Sequence, residues 1–151
     1  AQVGDDVALV DALVGCPVSV GNPHCVVWRE IDDLDAIPWR RWGAAIEVDP
    51  RFPSRTNVQF ARVTPGGADV RIWERGAGPT LASGSSACAV AACAVARGHH
   101  PPGRLAVSMP GGTLTVEVTS ELDVTLSGPV APVGWCELDP RWTPVAGAAT
   151  S

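Results

Sequence analysis

Apolar and polar positions divide the chain into short alternating runs, two helical runs and several Pro/Gly-rich breaks. Residues 7–10, 17–21 and 24–29 have the β-branched, alternating character of strands. Trp39, Trp42 and Ile46 recur at helical spacing after Pro38. With Asp35 as a candidate N-cap, they predict a short amphipathic helix over 38–47 that ends before Pro50 and Pro53. Residues 56–63 (TNVQFARV) and 69–74 (DVRIWE) alternate on either side of Pro65-Gly66-Gly67, which predicts a hairpin. A glycine-rich loop over 75–84 leads into residues 85–97, SSACAVAACAVAR, closed by Gly98. This is the clearest helix: Ser85 or Ser86 can cap it, Arg97 complements its C-terminal dipole, and Gly98 suits the position after its end. Its residues are small and apolar on every face, and a helix apolar all round is buried all round. Residues 104–109, 113–119, 123–127 and 133–137 read as further strands, with Pro110-Gly111-Gly112 a turn. The expected architecture is α+β: one domain over 1–142, an antiparallel barrel-like sheet wrapped around one central buried helix, and a flexible tail over 143–151.

Composition narrows the chemistry. Of 151 residues 46% are hydrophobic, enough for a core, yet no apolar run is long enough to span a membrane. All 11 basic residues are arginine. Without lysine the chain has no side-chain amine for a Schiff base and cannot supply a P-loop lysine. The net charge of −5 and scattered arginines argue against nucleic-acid binding. Cys16, Cys25, Cys88, Cys93 and Cys136 are odd in number and irregularly spaced, with no C-x-x-C. They suggest neither a disulfide scaffold nor a zinc site, and suit a reducing cytoplasm. Cys88 and Cys93 point roughly 140° apart on their helix and read as core thiols. The chain opens at Ala1 in strand-like sequence, without a signal-peptide pattern, as a piece of a larger protein would.

Chemistry concentrates in three places. ERGAGPTLASGSS (74–86) joins a strand end to the start of the buried helix, whose free N–H groups make an anion site unless capping serines use them all. Both readings stand on these residues alone. GNPH (21–24) sets Asn22 and His24 in a turn between strands, where a lone histidine is more often structural than catalytic. Asn57, at a strand start, either meets a ligand or shapes the turn. His99 and His100 read as a solvated loop. Ser83 lacks the G-x-S-x-G context of a hydrolase nucleophile.

GNPHCV (21–26), FPSRTNVQF (52–60), ERGAGPTLASGSSACA (74–89), MPGGTL (109–114) and LSGPV (126–130), in this order, resemble the C-terminal half of diaminopimelate epimerases. The resemblance implies two similar domains, each a barrel-like sheet around a helix, with a cofactor-independent active site between them. It implies that two cysteines, one per domain, remove and return an amino-acid α-proton on opposite faces. By motif, Asn22 and Asn57 would bind polar ends of the substrate. Glu74 and Arg75 would contact its distal amino-acid group or position catalytic groups, and Gly84 and Ser85 would hold the reacting α-carboxylate. His24 would tune the acid/base pair.

Two departures follow. Ser83 occupies the place of the family's second catalytic cysteine, and a hydroxyl is a far poorer base near neutrality than a thiol of pKa ~8.5. Activation of Ser83 by His24 or Glu74, a single base on one face, an elimination as in related dehydratases, and an inactivating Cys→Ser change are the alternatives. The N-terminal half, with its own cysteine, is missing. The expected activity is cofactor-independent amino-acid epimerisation or racemisation in lysine biosynthesis, with no metal. A same-fold dehydratase or isomerase and a non-catalytic amino-acid-binding module are the other readings. The expected partners are an amino-acid substrate and the N-terminal half, or a second copy of the chain, but neither nucleic acid nor membrane.

Overall fold

The computed structural model describes residues 1–137 together with Asp139 and Arg141. In chain order the elements are β1 (Gln2–Val3), β2 (Val7–Ala8), β3 (Val14–Ser19), β4 (Pro23–Trp28), α1 (Trp39–Glu47), β5 (Asn57–Thr64) and β6 (Gly67–Glu74). β7 (Gly78–Thr80), α2 (Gly84–Ala96), β8 (Gly103–Met109), β9 (Gly112–Val118) and β10 (Val124–Ser127) follow. The strands pair in the order β1-β3-β4-β5-β6-β8-β9-β10, with β2 added to β3 and β7 to β6. α2 touches every strand of that path, so the sheet curls around it as the apolar pattern requires. The α+β class and the wrapped helix match expectation, but the sheet is mixed rather than wholly antiparallel. β4 runs parallel to β5, and β6 parallel to β8. Each parallel pair is bridged by a connection that contains a helix, α1 in the first and α2 in the second, and parallel neighbours need such a crossover.

The small side chains of α2 make the wrapping feasible. Ala87, Ala89, Val90, Ala91, Ala92 and Cys93 are fully buried. All of these but Ala92 pack in one core with Val26, Ala61, Val70, Ile72, Leu105, Val107 and Val116 from the surrounding strands. The helix ends in a Schellman arrangement. Gly98, at φ +71°, donates to the Val95 carbonyl at 3.1 Å, and His99 N–H to that of Ala94 at 2.8 Å. Arg97 does not complement the helix dipole with its side chain. It reaches Asp6 and the Gly4 carbonyl, both at 2.6 Å.

β4 and β5 are buried on both faces. Cys25, Val27, Val58 and Phe60 point away from α2 into a second core with Leu34, Trp39 and Ile46, under α1. Gly43 permits this layer: a Cβ there would lie 2.6 Å from Cβ of Trp73. A glycine inside a helix costs about 1 kcal/mol relative to alanine, and here the close approach of α1 to β6 offsets that.

Several boundaries differ from the sequence pattern. Residues 7–10 give only the two-residue β2 before a 3-10 turn over Val10–Ala12. The strand expected over 17–21 begins earlier, at Val14. Asp35 does not cap α1. It sits in a 3-10 turn capped by Asp33, and accepts from the indole N–H of Trp39 at 3.3 Å. α2 is capped by Ser83, not by Ser85 or Ser86. β7 arises in the glycine-rich loop because the chain folds back onto β6, pairing Thr80 with Ile72. No strand forms over 133–137, where Val133 and Trp135 are fully exposed, since strand propensity without an adjacent edge has nothing to pair with. The tail over 143–151 lies outside the described residues.

The tight fit of sheet to helix makes α2 intolerant of volume. Ala91→Leu should destabilise the protein by about 1–3 kcal/mol, read from urea denaturation. An unchanged midpoint would show that the sheet can open around the helix at little cost.

Candidate active site

Strand register brings the three polar motifs to one end of the sheet. His24 on β4 is the parallel partner of Asn57 on β5, and Val58 faces Trp73 on β6. The GNPH turn, the start of β5 and the Glu74-Arg75 corner are therefore neighbours. Asn57 ties them together. Its Nδ2 donates to the Pro23 carbonyl and its Oδ1 accepts from Arg75 N–H, both at 2.9 Å. The residue is buried, and both polar ends of its amide are engaged by backbone.

A second set of bonds joins this corner to α2. His24 is 1% exposed. Its Nε2 is 3.0 Å from Asn22 Oδ1 and its Nδ1 is 3.0 Å from Gln59 Nε2, which also donates to Ser86 Oγ at 3.0 Å. The Gln59 nitrogen can only donate, so Nδ1 accepts and the neutral imidazole carries its proton on Nε2, toward Asn22. Burial pushes the His24 pKa down to about 4, reinforced by the positive charge of Arg75. Sequence reasoning missed Gln59. Its signal was a polar residue flanked by Val58 and Phe60 in an apolar strand, where the period of two turns it toward α2.

Ser83 is the hinge between loop and helix. Its Oγ accepts from Ser86 N–H at 3.4 Å and lies 3.5 Å from Ser85 Oγ. Neither His24 nor Glu74 bonds to it. The link from His24 runs through Gln59 and Ser86, so direct hydrogen bonding of Ser83 to His24 or Glu74, one of the alternatives the sequence leaves open, is absent among the described residues. Gly84 and Ser85 amides have no acceptor among the described residues. The helix end is thus capped in part and open in part, with the partial positive charge of its first turn exposed.

Glu74 ends β6 half-buried, and its side chain bonds to no described residue. Exposed Arg75 donates from Nη1 to the Ser54 carbonyl at 2.8 Å. Beneath this corner lies Glu47, the last residue of α1, unremarked in the sequence. It is 7% exposed, and its carboxylate accepts from the Trp73 indole at 2.7 Å, Gly76 N–H at 2.9 Å and Arg55 Nη1 at 3.3 Å. These donors, Trp73 foremost, hold its pKa below the usual glutamate range.

Two adjoining cavities open here. One of about 660 Å³ is lined by Gly21, Ser85, Cys88, Val124 and Leu126. Another of about 490 Å³ is lined by Gly21, Asn22, His24, Phe52 and Ser54. A third cavity, of about 810 Å³, lies by Trp28, Arg29, Arg62 and His99 and holds none of the motif residues. Exposed His99 packs against Trp28 with the rings tilted by 52° and their centroids 4.6 Å apart. Cys88 is half-buried, and burial raises its pKa; Cys93 is buried and accepts from the Trp28 indole at 3.2 Å.

A curled sheet around a buried helix, with a polar corner at the helix start, defines an α+β domain of the barrel-like kind. Residues 16–131 match the diaminopimelate epimerase family, to which the chain belongs. It is 46% identical over 127 residues to the diaminopimelate epimerase of Desulforudis audaxviator, covering 83% of this chain and 43% of that protein. With the enzyme of Pelotomaculum thermopropionicum identity is 44%, over 77% of this chain and 41% of that protein. The chain thus spans less than half the length of the curated relatives it matches. A solved phenazine biosynthesis protein of the PhzF family from Enterococcus faecalis has a TM-score of 0.49 and 19% identity, over 67% of this chain and 35% of that one.

The buried neutral imidazole makes stability depend on pH. An unfolded histidine titrates near 6.5 and folded His24 near 4. Between these values the unfolded chain binds more protons, so stability is intact above about pH 6.5 and falls toward about pH 4. That gap corresponds to roughly 3 kcal/mol at about 1.4 kcal/mol per pH unit. Urea midpoints of the protein should therefore drop more between about pH 7 and 4.5 than those of a His24→Gln variant. Equal drops would assign the effect to other groups.

Proposed function

We propose that the chain is the C-terminal part of a cofactor-independent amino-acid epimerase of the diaminopimelate epimerase type, its site completed by an N-terminal half. The observation that carries this reading is the meeting of the GNPH turn, Asn57, the Glu74-Arg75 corner and the partly open α2 N-terminus at one end of the sheet. In this reading the α-carboxylate sits on the Gly84 and Ser85 amides. Negative charge that develops when the α-proton leaves is stabilised by donors already in place at the helix end. Asn22 orients the polar end of the substrate. Asn57 acts through the backbone of Pro23 and Arg75, which it bonds. Glu74 and Arg75 offer one negative and one positive charge to the distal ammonium and carboxylate. His24, buried and neutral, keeps Asn22 and Gln59 in place rather than moving protons.

The proton chemistry is asymmetric. A thiolate from the N-terminal half would serve one face of the α-carbon and Ser83 the other. Ser83 Oγ bonds to an amide N–H and lies by another hydroxyl, which stabilise a developing alkoxide but leave it without a general base among the described residues. That same observation favours, as a second reading, a reaction that needs one base only, such as elimination or isomerisation. A reducing cytoplasm suits the five free thiols. No helix among the described residues is long and apolar enough to cross a membrane. Exposed Leu81 and Leu126 offer apolar surface to the N-terminal half, or to a second copy of the chain.

The deciding measurement is α-proton exchange in D2O, followed by proton NMR for diaminopimelate and a panel of amino acids, with the complete two-domain protein. Exchange with inversion is expected. Ser83→Cys should raise its rate on the order of 10²-fold, the typical scale of a positioned acid/base group. Exchange without inversion, or release of a keto acid and ammonia, would install the single-base reading. Tight binding without any exchange would leave a binding module.

A further inference from the structure

The Glu74-Arg75-Gly76 corner is held from beneath by a carboxylate that faces no cavity described above. Glu47 lies at the end of α1, on the outer layer of the sheet. Two of its acceptor bonds bracket the corner: the Trp73 indole at 2.7 Å comes just before it, and Gly76 N–H at 2.9 Å comes just after. Arg55 Nη1, at 3.3 Å, closes the set from the turn that leads into β5, and Thr56 N–H bonds the Glu47 carbonyl at 3.2 Å. Asn57 takes the amide between them, that of Arg75. The corner is thus pinned at successive points by two side chains, one on each side of the sheet's rim. Within the turn the chain closes on itself only through Ala77 N–H to the Glu74 carbonyl at 3.0 Å and the pairing of Glu74 with Gly78, and Gly76, at φ +79°, carries no Cβ and has no neighbour within 4 Å of where one would lie.

The geometry points to Glu47 as a positioning residue that sets the Glu74 and Arg75 side chains for the distal end of the substrate. A buried carboxylate with three donors from two segments, the corner after β6 and the turn before β5, is worth more than a spacer. The charge-assisted bonds from Trp73 and Gly76 are short and directional, and removing the charge leaves the donors competing for one acceptor. The effect belongs to substrate recognition and not to proton transfer, because Glu47 bonds neither Ser83 nor His24. This inference rests on the epimerase reading for the roles of Glu74 and Arg75, and its structural half stands apart from it.

The test is Glu47→Gln in the complete protein, with two readouts. In the D2O exchange assay with diaminopimelate, KM should rise about tenfold while kcat stays within about twofold, the pattern of lost ground-state binding. In backbone hydrogen exchange, Gly76 should exchange at least about tenfold faster while Ala91 in α2 is unchanged, the pattern of a local opening. Glu47→Asp, which keeps the charge but shortens the reach, should move both readouts the same way and less, and serves if the glutamine variant does not fold. Unchanged KM, an equal fall in kcat, or uniformly faster exchange across Gly76 and Ala91 would overturn the proposal. If the wild-type protein exchanges no amino-acid α-proton, the epimerase reading fails, and Gly76 protection alone decides whether Glu47 pins the corner.

Discussion

Burial of α2 is the constraint on which the rest depends. A helix made almost entirely of alanine, valine and cysteine has no polar face to show to water, so the sheet must enclose it. Enclosure raises a second demand, because the first-turn amides of a helix have no partners within it. Ser83 meets part of that demand by bonding Ser86 N–H, and Gln59 reaches from β5 to the Ser86 hydroxyl. The Gly84 and Ser85 amides remain without an acceptor among the described residues, and Ser85 lines a cavity. What is a packing problem elsewhere along the helix becomes, at this end, a hydrogen-bonding problem that the described residues meet only in part.

The polar groups around that end form a connected set rather than a scatter. Asn22, His24, Gln59 and Ser86 make one line from the β3–β4 turn to the helix. Asn57 and Glu47 hold the corner after β6. In a low-dielectric interior such bonds are strong when satisfied and expensive when broken, so each fixes the orientation of the next. His24 illustrates the division of labour. Its position suggests acid/base work, yet both ring nitrogens are occupied and burial keeps the ring neutral, so it is better suited to hold geometry than to carry protons.

The serine at the helix cap is the chemical peculiarity of the chain. A serine is a good N-cap because its oxygen accepts from an amide. The same bond draws electron density from the oxygen and suits it to accept negative charge more than to abstract a proton. A capping role and an acid/base role therefore pull Ser83 in different directions, whereas a thiol there would ionise far more readily.

Local patterns determined much of this. The apolar run over 85–97, the alternating strands around it and the glycine-rich approach to the helix were legible because hydrophobic periodicity and turn residues act over a few positions. Ser83, Asn22, Glu74 and Arg75 were legible as polar residues in short motifs. The partners were not. Parallel pairing of β4 with β5 and of β6 with β8, the addition of β7, and the isolation of residues 133–137 depend on which edges meet after the chain has crossed over. Gln59 and Glu47 look ordinary in sequence because their importance lies in hydrogen-bond partners 27 and 29 positions away. The sequence by itself determined that a buried helix would be wrapped by a sheet and would begin in a polar loop. Only the tertiary structure decided which side chains close around that beginning, because hydrogen bonds between distant segments exist only once strand register has set their distances.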